Sequence, residues 1–426
     1  MIAQSIPAFQ ITTTNRPISS FCGLPLLYQL AHWLGLPQQM ERLLRPRLKQ
    51  RQRGYSVSQL LLSLVMLLAG GGERLDDIRR LQGDPALTAL TDLPRLPEAT
   101  TLGRFLHRFT QPAVVTLGRL VTALAGRLQT KHAPRRATLD VDATIIEAQK
   151  QEAQWTYTHV QGYQPLMAFL AETQTILGAQ WRPGNTPAGA QALPFLKRCG
   201  QALPDGIEQR FLRSDSAWYQ AKVLDYCHDH GIGFAIGADQ DAAVTEVIAA
   251  LPEAAWGPFD AQELAETAPC LNEGERAYRL IVLRTRKAQG DLFAGPFLYW
   301  ALITNREEKA PWIVRWHRQR ATSENWIKEA KHGLALAHPP CGTFLANAAF
   351  TQIVALTYNL VQVLKYEHLP ASWRSFTIKT LRFRLFHLGS LIVRHARRLI
   401  VQLPASYADV AVYETVACRV RGPCPV

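Results

Sequence analysis

The chain lacks the cysteine patterns of a disulfide scaffold or a zinc ribbon. Its seven cysteines are an odd number and include no Cys-x-x-Cys pair, which favours a reducing cytoplasm. It also lacks a long apolar run, because the strongest stretch, residues 60–69, is too short to span a bilayer. The opening residues MIAQSIPAFQ contain no basic segment followed by an apolar run, so we predict no secretory signal. These absences favour a cytoplasmic protein without membrane contact.

Acidic residues are also in deficit. The chain has 47 Lys and Arg against 34 Asp and Glu, a formal charge of +13 over 426 residues. This balance favours a polyanionic partner, and nucleic acid is the first candidate. A basic protein that is merely soluble, or one that binds anionic membrane, remains an alternative. The cations concentrate in residues 45–53, 131–136 and 374–398.

The N-terminal part, residues 1–130, has helical periodicity. Ser56 and Gln59 form a potential capping box before an apolar helix over residues 60–69, and a short helix is expected over 73–82. In the segment TTLGRFLHRF, apolar residues repeat with helical spacing and leave Arg104 and Arg108 together on the outside. We interpret this region as a helical DNA-binding domain similar to a helix-turn-helix bundle. A packing domain without DNA contact is the alternative.

From residue 137 the pattern alternates, which predicts a strand with Asp140 and Asp142 on one face. Further strands are predicted over 166–171, 175–181, 209–214 and 232–238, with helices within 187–198 and over 217–229. This order is expected of a ribonuclease-H-like α/β core. We divide that core into residues 131–240 and 301–366.

A β-rich insertion is predicted over residues 241–300. Strands over 278–285 and 297–304 belong to this part, and the last one should return to the core. Long amphipathic helices are expected over 343–366 and 373–400, the second of them rich in arginine. Residues 367–426 would then form a C-terminal helical region.

One glutamate late in the chain is surrounded by cations. On a single helix, the five side chains of this group fall within a stripe about 80° wide. They are His317, Arg320, Glu324, Lys328 and Lys331. A solvated amphipathic helix with Glu–Lys pairs is the simpler interpretation.

Three acids separated widely in sequence occupy comparable places. Asp142 or Asp140 lies in the first strand, Asp215 ends a later strand, and Glu324 lies on the late helix. If folding brings them together, their mutual repulsion requires cations, and Mg²⁺ or Mn²⁺ takes oxygen ligands. Two such ions can promote phosphoryl transfer. Each acid has a simpler alternative as a solvated strand residue, a helix cap or a surface ion-pair partner.

The segments LDVDAT, RSDSAWY and His317-x2-Arg320-x3-Glu324-x6-Lys331 resemble the three signature regions of DDE transposases from bacterial insertion sequences. The last has the spacing of the Tyr-Arg-Glu-Lys motif of a cut-and-paste group, with His317 in the tyrosine position. The resemblance extends over most of the chain through GYSVSQLLLSL, AGGGERLDDIRRL, LPEATTLGRFLHRF and THVQGYQPL.

The resemblance implies that Asp142, Asp215 and Glu324 bind two Mg²⁺ or Mn²⁺ ions. Asp142 is preferred because the family's first acid tends to precede a small residue and then Thr or Ser; Asp140 is the alternative.

By the same resemblance, Arg320 and Lys331 hold phosphates near the cleaved DNA end. The helical geometry adds Lys328, and His317 would donate a hydrogen bond to a phosphate oxygen, more strongly when protonated.

The function implied is that of a transposase that binds terminal inverted repeats and target DNA, cleaves and joins strands, and is a homodimer on DNA. Two alternatives remain. One is an inactive or repurposed DNA-binding derivative, because His317 departs from the motif. The other is a structure-selective nuclease with the same core.

Overall fold

The N-terminal region begins with a two-residue strand and continues as helices. A computed structural model describes residues 10–49, 54–269, 276–287, 296–396 and 398–421. The first elements are β1 (Ile18–Ser19), α1 (Leu24–Trp33), α2 (Leu36–Leu44), a 3-10 turn (Arg45–Arg47), α3 (Val57–Ala69), a 3-10 helix (Leu75–Arg80), α4 (Pro85–Leu90), α5 (Ala99–Leu106) and α6 (Gln111–His132). The capping box is confirmed, because Gln59 N donates to Ser56 Oγ at 3.1 Å and Ser56 N donates to Gln59 Oε1 at 3.0 Å.

A mixed sheet follows. Its elements are β2 (Arg136–Ala143), β3 (Ile146–Glu147), β4 (Gln154–Trp155), β5 (Gln161–Tyr163), β6 (Leu166–Leu170), β7 (Thr175–Gln180), α7 (Ala192–Ala202), β8 (Gln209–Ser214), a 3-10 turn (Ser216–Trp218), α8 (Ala221–Asp229) and β9 (Ile232–Ala238). The order is β7-β6-β2-β8-β9. β2, β8 and β9 run parallel, and β6 and β7 run antiparallel beside them. Strands β3, β5 and β4 form a small separate sheet.

The next segment extends the same sheet beyond β9. It contains α9 (Ala242–Ala249), a 3-10 turn (Glu253–Ala255), β10 (Gly257–Phe259), β11 (Gln262–Thr267), β12 (Arg279–Arg286) and β13 (Phe297–Thr304). The predicted strand over 297–304 is confirmed, and β13 pairs with β9. In the described residues the sheet therefore has nine strands.

The C-terminal part is helical except for one β-hairpin. It comprises α10 (Ala310–Arg318), α11 (Ala321–Lys328), a π-helix (Glu329–Gly333), α12 (Phe344–Val363), a π-helix (Leu364–His368), a 3-10 turn (Ala371–Trp373), α13 (Ile378–Leu381), a π-helix (Arg382–Phe386), β14 (Ser390–His395), β15 (Arg398–Gln402) and α14 (Val410–Arg421).

The single long helix predicted over 373–400 is wrong, because helix is present over 378–386 and strands follow from residue 390. The all-helical description of the two ends of the chain is wrong for the same reason, since both ends contribute strands. β14 pairs with β15 and also with β1, more than 370 positions earlier in the sequence (Ile18 opposite Leu391). The apolar, β-branched runs of the two strands suit a pleated hairpin better than a helix. Of the arginines in the predicted helix, Arg394 and Arg398 lie in the hairpin, and Arg397 lies outside the described residues.

Helix α12 lies at the centre of the molecule. The segment Phe344–His368 has the length and mean hydropathy, 1.3, of a membrane span, but 89% of that window is buried inside the protein. It was expected to be amphipathic, yet it is buried almost all round because it packs against α3, α6 and β7. It is thus the core helix that joins the N-terminal helices to the sheet.

One side chain of α12 covers the edge strand β7. Asn359 Oδ1 accepts from Ile176 N at 2.8 Å, and Asn359 Nδ2 donates to Ile176 O at 2.8 Å and to Val121 O at 3.0 Å. The amide thus replaces the missing neighbouring strand and links β7 to α6.

Candidate active site

Asp142 and Asp215 lie at the carboxyl ends of adjacent parallel strands. Asp140 of β2 is opposite Arg213 of β8, so the same register brings Asp142 beside Asp215, about one strand spacing of 4.8 Å away. Burial raises the pKa of Asp142 to about 6, and the negative charges of Asp215 and Glu324 add to the rise. The register thus places two of the predicted acids side by side, and the charge of the third, Glu324, contributes to the pKa of Asp142.

The turn that carries Asp215 depends on a glycine in the neighbouring strand. Asp215 Oδ1 accepts a hydrogen bond from Ala217 N at 3.2 Å, which fixes the carboxylate over the turn. A Cβ at Gly237 of β9 would lie 3.0 Å from Ser216 N and 3.3 Å from Asp215 C, so a larger residue would require the turn to shift. Burial raises the pKa of Asp215, and the Arg320 guanidinium opposes the rise.

Arg320 lies among these acids. Its Nη1 is 3.3 Å from Asp142 Oδ2, and both side chains are largely buried, with exposed fractions of 15% and 18%. Arg320 directly precedes α11, and Glu324 lies one turn into that helix with its side chain exposed. In the described structure, Arg320 thus provides part of the positive charge that the acids require.

The single helix predicted around Glu324 is wrong. Helix α10 ends at Arg318, α11 begins at Ala321, and a π-helix follows from Glu329. The cations of the expected stripe therefore point in different directions. Lys328 is exposed, whereas Lys331 is half-buried.

Lys331 reaches the chain just after Asp142. Its Nζ donates to Ile145 O at 2.9 Å and to Thr144 Oγ1 at 3.3 Å. Burial lowers the pKa of this lysine. The Lys331 ammonium group thus contacts the two residues that lie two and three positions after Asp142, the first of the predicted acids.

His317 does not face the solvent. The side chain is 6% exposed, and Nε2 lies 2.9 Å from Ser214 O, a carbonyl that requires a donor. Burial lowers the pKa of His317 to about 4, so the imidazole is neutral at pH 7. The expected hydrogen bond from His317 to a DNA phosphate does not fit this burial. Its contact instead supports the residue that precedes Asp215.

Asp140 is fully buried and already paired. Arg213 donates from Nε and Nη2 to its two carboxylate oxygens at 2.6 and 2.7 Å. Arg213 Nη1 also donates to Trp316 O at 2.7 Å and to Gln319 Oε1 at 3.3 Å. The pair joins β2 and β8 to the end of α10, which leads into Arg320 and α11.

Sequence reasoning missed the role of Arg213. The available signal was its position two residues before Asp215, since alternation along an extended chain puts side chains two residues apart on the same side.

The two arginines predicted to contact DNA in the N-terminal region differ. Arg104 is exposed on α5, whereas Arg108 is half-buried and its Nε donates to Lys49 O at 2.9 Å. Trp326 packs in the core, with its ring centroid 5.5 Å from that of Phe169.

The donor set fits a hard divalent ion, although the described residues include no group of three His, Cys, Asp or Glu side chains arranged around one point. Carboxylate oxygens are the ligands that Mg²⁺ and Mn²⁺ prefer. Burial is the main cause of the raised pKa of Asp142, and the charges of Asp215 and Glu324 add to it, so a cation beside these acids would offset their mutual repulsion.

Comparison with known proteins gives a family match over nearly the whole chain. Residues 5–422 match the transposase DDE domain group 1. No curated protein sequence matches the chain. A similar solved structure is the cryo-EM structure of the piggyBac transposase synaptic complex with hairpin DNA. It has 11% sequence identity and a TM-score of 0.48, and the match covers 88% of this chain and 83% of that one.

Proposed function

The chain belongs to the transposase DDE domain group 1 family, and from this premise we propose that it cleaves and joins DNA as the transposase of a bacterial insertion sequence. The observation that supports the proposal is the position of Asp142 and Asp215 at the ends of adjacent parallel strands, together with the contributions of the Asp215 and Glu324 charges to the raised pKa of Asp142. We assign these three acids as the catalytic, metal-binding residues.

The strand order supports a ribonuclease-H-like core. Three antiparallel strands, β7, β6 and β2, are followed by β8 and β9, which run parallel to β2. In such a sheet the carboxyl ends of β2 and β8 lie side by side. This arrangement brings two acids together without any local sequence motif.

The three acids would hold two Mg²⁺ or Mn²⁺ ions, and those ions would activate the attacking oxygen and stabilise the departing one. The chain itself contributes the positions of the acids. Arg320 and Lys331 surround them with positive charge suited to phosphate, and Lys331 is tied to the residues after Asp142. His317, Arg213 and Gly237 act as positioning residues for the Asp215 turn and for α11.

The DNA partners would be the terminal inverted repeats and the target DNA, bound in the cytoplasm by a homodimer. Exposed Arg104 and Lys328 are suited to contact the DNA backbone. Arg108 would contribute to DNA binding indirectly, because its Nε donates to Lys49 O and so positions the turn at residues 47–49.

A catalytically inactive, DNA-binding derivative is the second candidate. One observation favours it: a buried, neutral histidine stands where the motif has a tyrosine. A structure-selective nuclease would give cleaved but unjoined products, so analysis of joined DNA ends separates that case.

The test is Glu324→Gln, with Glu307→Gln as the matched control because Glu307 is an exposed glutamate outside the site. We expect Glu324→Gln to abolish Mg²⁺-dependent cleavage of DNA carrying the flanking repeats while DNA binding persists. The control should cleave normally. Retained cleavage by Glu324→Gln would remove Glu324 from the catalytic role, and a wild-type chain that binds but does not cleave would favour the inactive derivative.

A further inference from the structure

A cleft of about 930 Å³ lies beside the edge strand β7, between α6, α7 and the start of α12. Three arginines line it: Arg119, Arg182 and Arg198. No aspartate or glutamate is among its lining residues in the described part of the chain. A concave surface with three cations and no acid is suited to an anionic ligand.

Arg182 forms the inner wall of this arginine cleft. It is 2% exposed; its Nε donates to Gln164 O at 2.9 Å and its Nη1 to Ala190 O at 3.0 Å. Its Nη2 is buried and has no hydrogen-bond partner among the described residues, and burial lowers the pKa of Arg182 to about 10 with no carboxylate opposing the change. A buried charge without a counter-ion is unfavourable, so an anion in the cleft that Arg182 lines would offset this charge.

The outer wall is polar and basic. Arg198 Nη2 donates to Gln180 Oε1 at 2.7 Å, and Gln180 Nε2 donates to Gln191 Oε1 at 2.6 Å. This chain of contacts holds the exposed Arg198 side chain against the cleft. Gln191 directly precedes α7, whose N-terminus has no side-chain cap, so the positive end of that helix also lies at the cleft.

Hydrogen bonds connect the arginine cleft to the strand of the first acid. Gln164 N donates to Arg182 O at 3.0 Å, and Thr144 N donates to the carbonyl of the next residue, Pro165, at 3.1 Å. Thr144 is two residues after Asp142. The inner wall therefore lies at the same end of the sheet as the acids. From there the cleft follows α7, whose 11 residues extend about 16 Å.

We propose that the arginine cleft binds the phosphates of a single DNA strand that leaves the active site. This inference rests on the proposed function. The volume matches that of pockets for small ligands, about 300–1,000 Å³, so it admits a few nucleotides of one strand and not a duplex. The partly exposed aromatic ring of Phe344 lines the cleft beside the cations, as aromatic rings do in sites that bind single strands, whereas Trp181 is buried against Tyr163.

The test uses the full chain and two DNA probes: a blunt duplex, and the same duplex with a single-stranded 3′ thymidine tail. Arg119→Gln/Arg198→Gln removes the two exposed cations and leaves Arg182 in place, because Arg182 holds the following loop. The control, Arg79→Gln/Arg276→Gln, loses the same charge at exposed arginines outside the cleft that pair with Asp76 and Asp229.

We expect the wild type to bind the tailed duplex more tightly than the blunt one. The cleft variant should lose this preference, and the slope of log K against log salt for the tailed probe should fall by about 1.4, the value for two single-strand phosphate contacts. The control should keep the preference.

Four results would overturn the inference or its premise. If the wild type cleaves DNA but gains nothing from the tail, or if both variants lose the preference equally, the cleft assignment fails while the proposed function stands. If free dATP competes for the tail effect better than a thymidine oligonucleotide does, the ligand is a nucleotide and not a strand. If the wild type binds neither probe, the proposed function itself fails.

A photo-crosslinking measurement provides an independent readout. Val115 lines the cleft and is 48% exposed, whereas Leu298 on β13 is 60% exposed outside the cleft. A benzoylphenylalanine at position 115 should crosslink to the labelled tail, and one at position 298 should not. Equal crosslinking at the two positions, or none at 115, would contradict strand binding in the cleft.

Discussion

Asp142 and His317 are both largely buried near the Asp215 turn, and burial shifts their pKa values in opposite directions. The pKa of Asp142 rises from its ordinary value of 3.8 to about 6. The pKa of His317 falls from 6.5 to about 4. Each shift exceeds 2 pKa units, which corresponds to about 3 kcal/mol of folding free energy.

The two contributions have opposite signs. Asp142 is protonated more readily in the folded chain, so its contribution is fully present below pH 3.8 and is lost as pH rises through about 6. His317 is protonated more readily in the unfolded chain, so its contribution is present above pH 6.5 and is lost as pH falls through about 4. In the wild type the loss of the Asp142 contribution and the gain of the His317 contribution largely cancel as the pH rises from about 4 to 6.5.

Single variants should separate the two groups. In Asp142→Asn only the His317 contribution remains. Between pH 4 and 6.5 the free energy of unfolding of this variant should therefore rise by about 3 kcal/mol more than that of the wild type. In His317→Gln it should fall by a similar amount. The measurement is urea unfolding at a series of pH values in EDTA, with exposed Asp205→Asn as the control. If both variants keep the pH dependence of the wild type, the burial and charge environment described for this site is wrong.

Three further substitutions test the elements that position the site. Gly237→Ala should lower the free energy of unfolding by about 1–3 kcal/mol and reduce cleavage more than DNA binding, because the added Cβ would displace the turn at Ser216. Wild-type stability together with wild-type cleavage would contradict this prediction. Arg213→Met should destabilise the chain by about 3–5 kcal/mol because it leaves Asp140 buried without its partner, and a loss below 1 kcal/mol in urea unfolding, roughly the value of an exposed pair, would contradict this. Asn359→Leu should lower the free energy of unfolding by at least about 2 kcal/mol, since it leaves the backbone N–H and carbonyl of Ile176 on β7 unpaired. A variant with wild-type stability would show that these hydrogen bonds to the edge strand do not stabilise the fold.

Much of the sheet could be predicted from the sequence. The strands over 209–214, 232–238 and 297–304 were predicted with the bounds that the structure has. These strands carry short apolar or alternating patterns that are bounded by turn residues, and such patterns depend on local sequence. The placement of Asp215 after a strand followed from the same local signal.

The break between α10 and α11 could not be predicted in this way. The periodicity of apolar residues is similar for one continuous helix and for two helices joined at residues 319–320. What decides the break is tertiary: Arg213 and His317 hold the end of α10 against β8. Those contacts join residues 103 positions apart, and no local pattern indicates them.

The C-terminal hairpin was missed for a related reason. Its arginines gave the segment a pattern that fits an amphipathic helix, and the pairing that stabilises β14 comes from β1 at the other end of the chain. The arginine cleft was also beyond local reasoning, because Arg119, Arg182 and Arg198 lie on separate elements.

The central claim is that Asp142, Asp215 and Glu324 act together on shared divalent ions. The most direct measurement is Mn²⁺ binding to the DNA complex, followed by electron paramagnetic resonance, for Asp142→Asn, Asp215→Asn and Glu324→Gln. We predict that each substitution weakens Mn²⁺ binding strongly, whereas Glu307→Gln leaves it unchanged. Wild-type Mn²⁺ binding in all three variants would contradict the account.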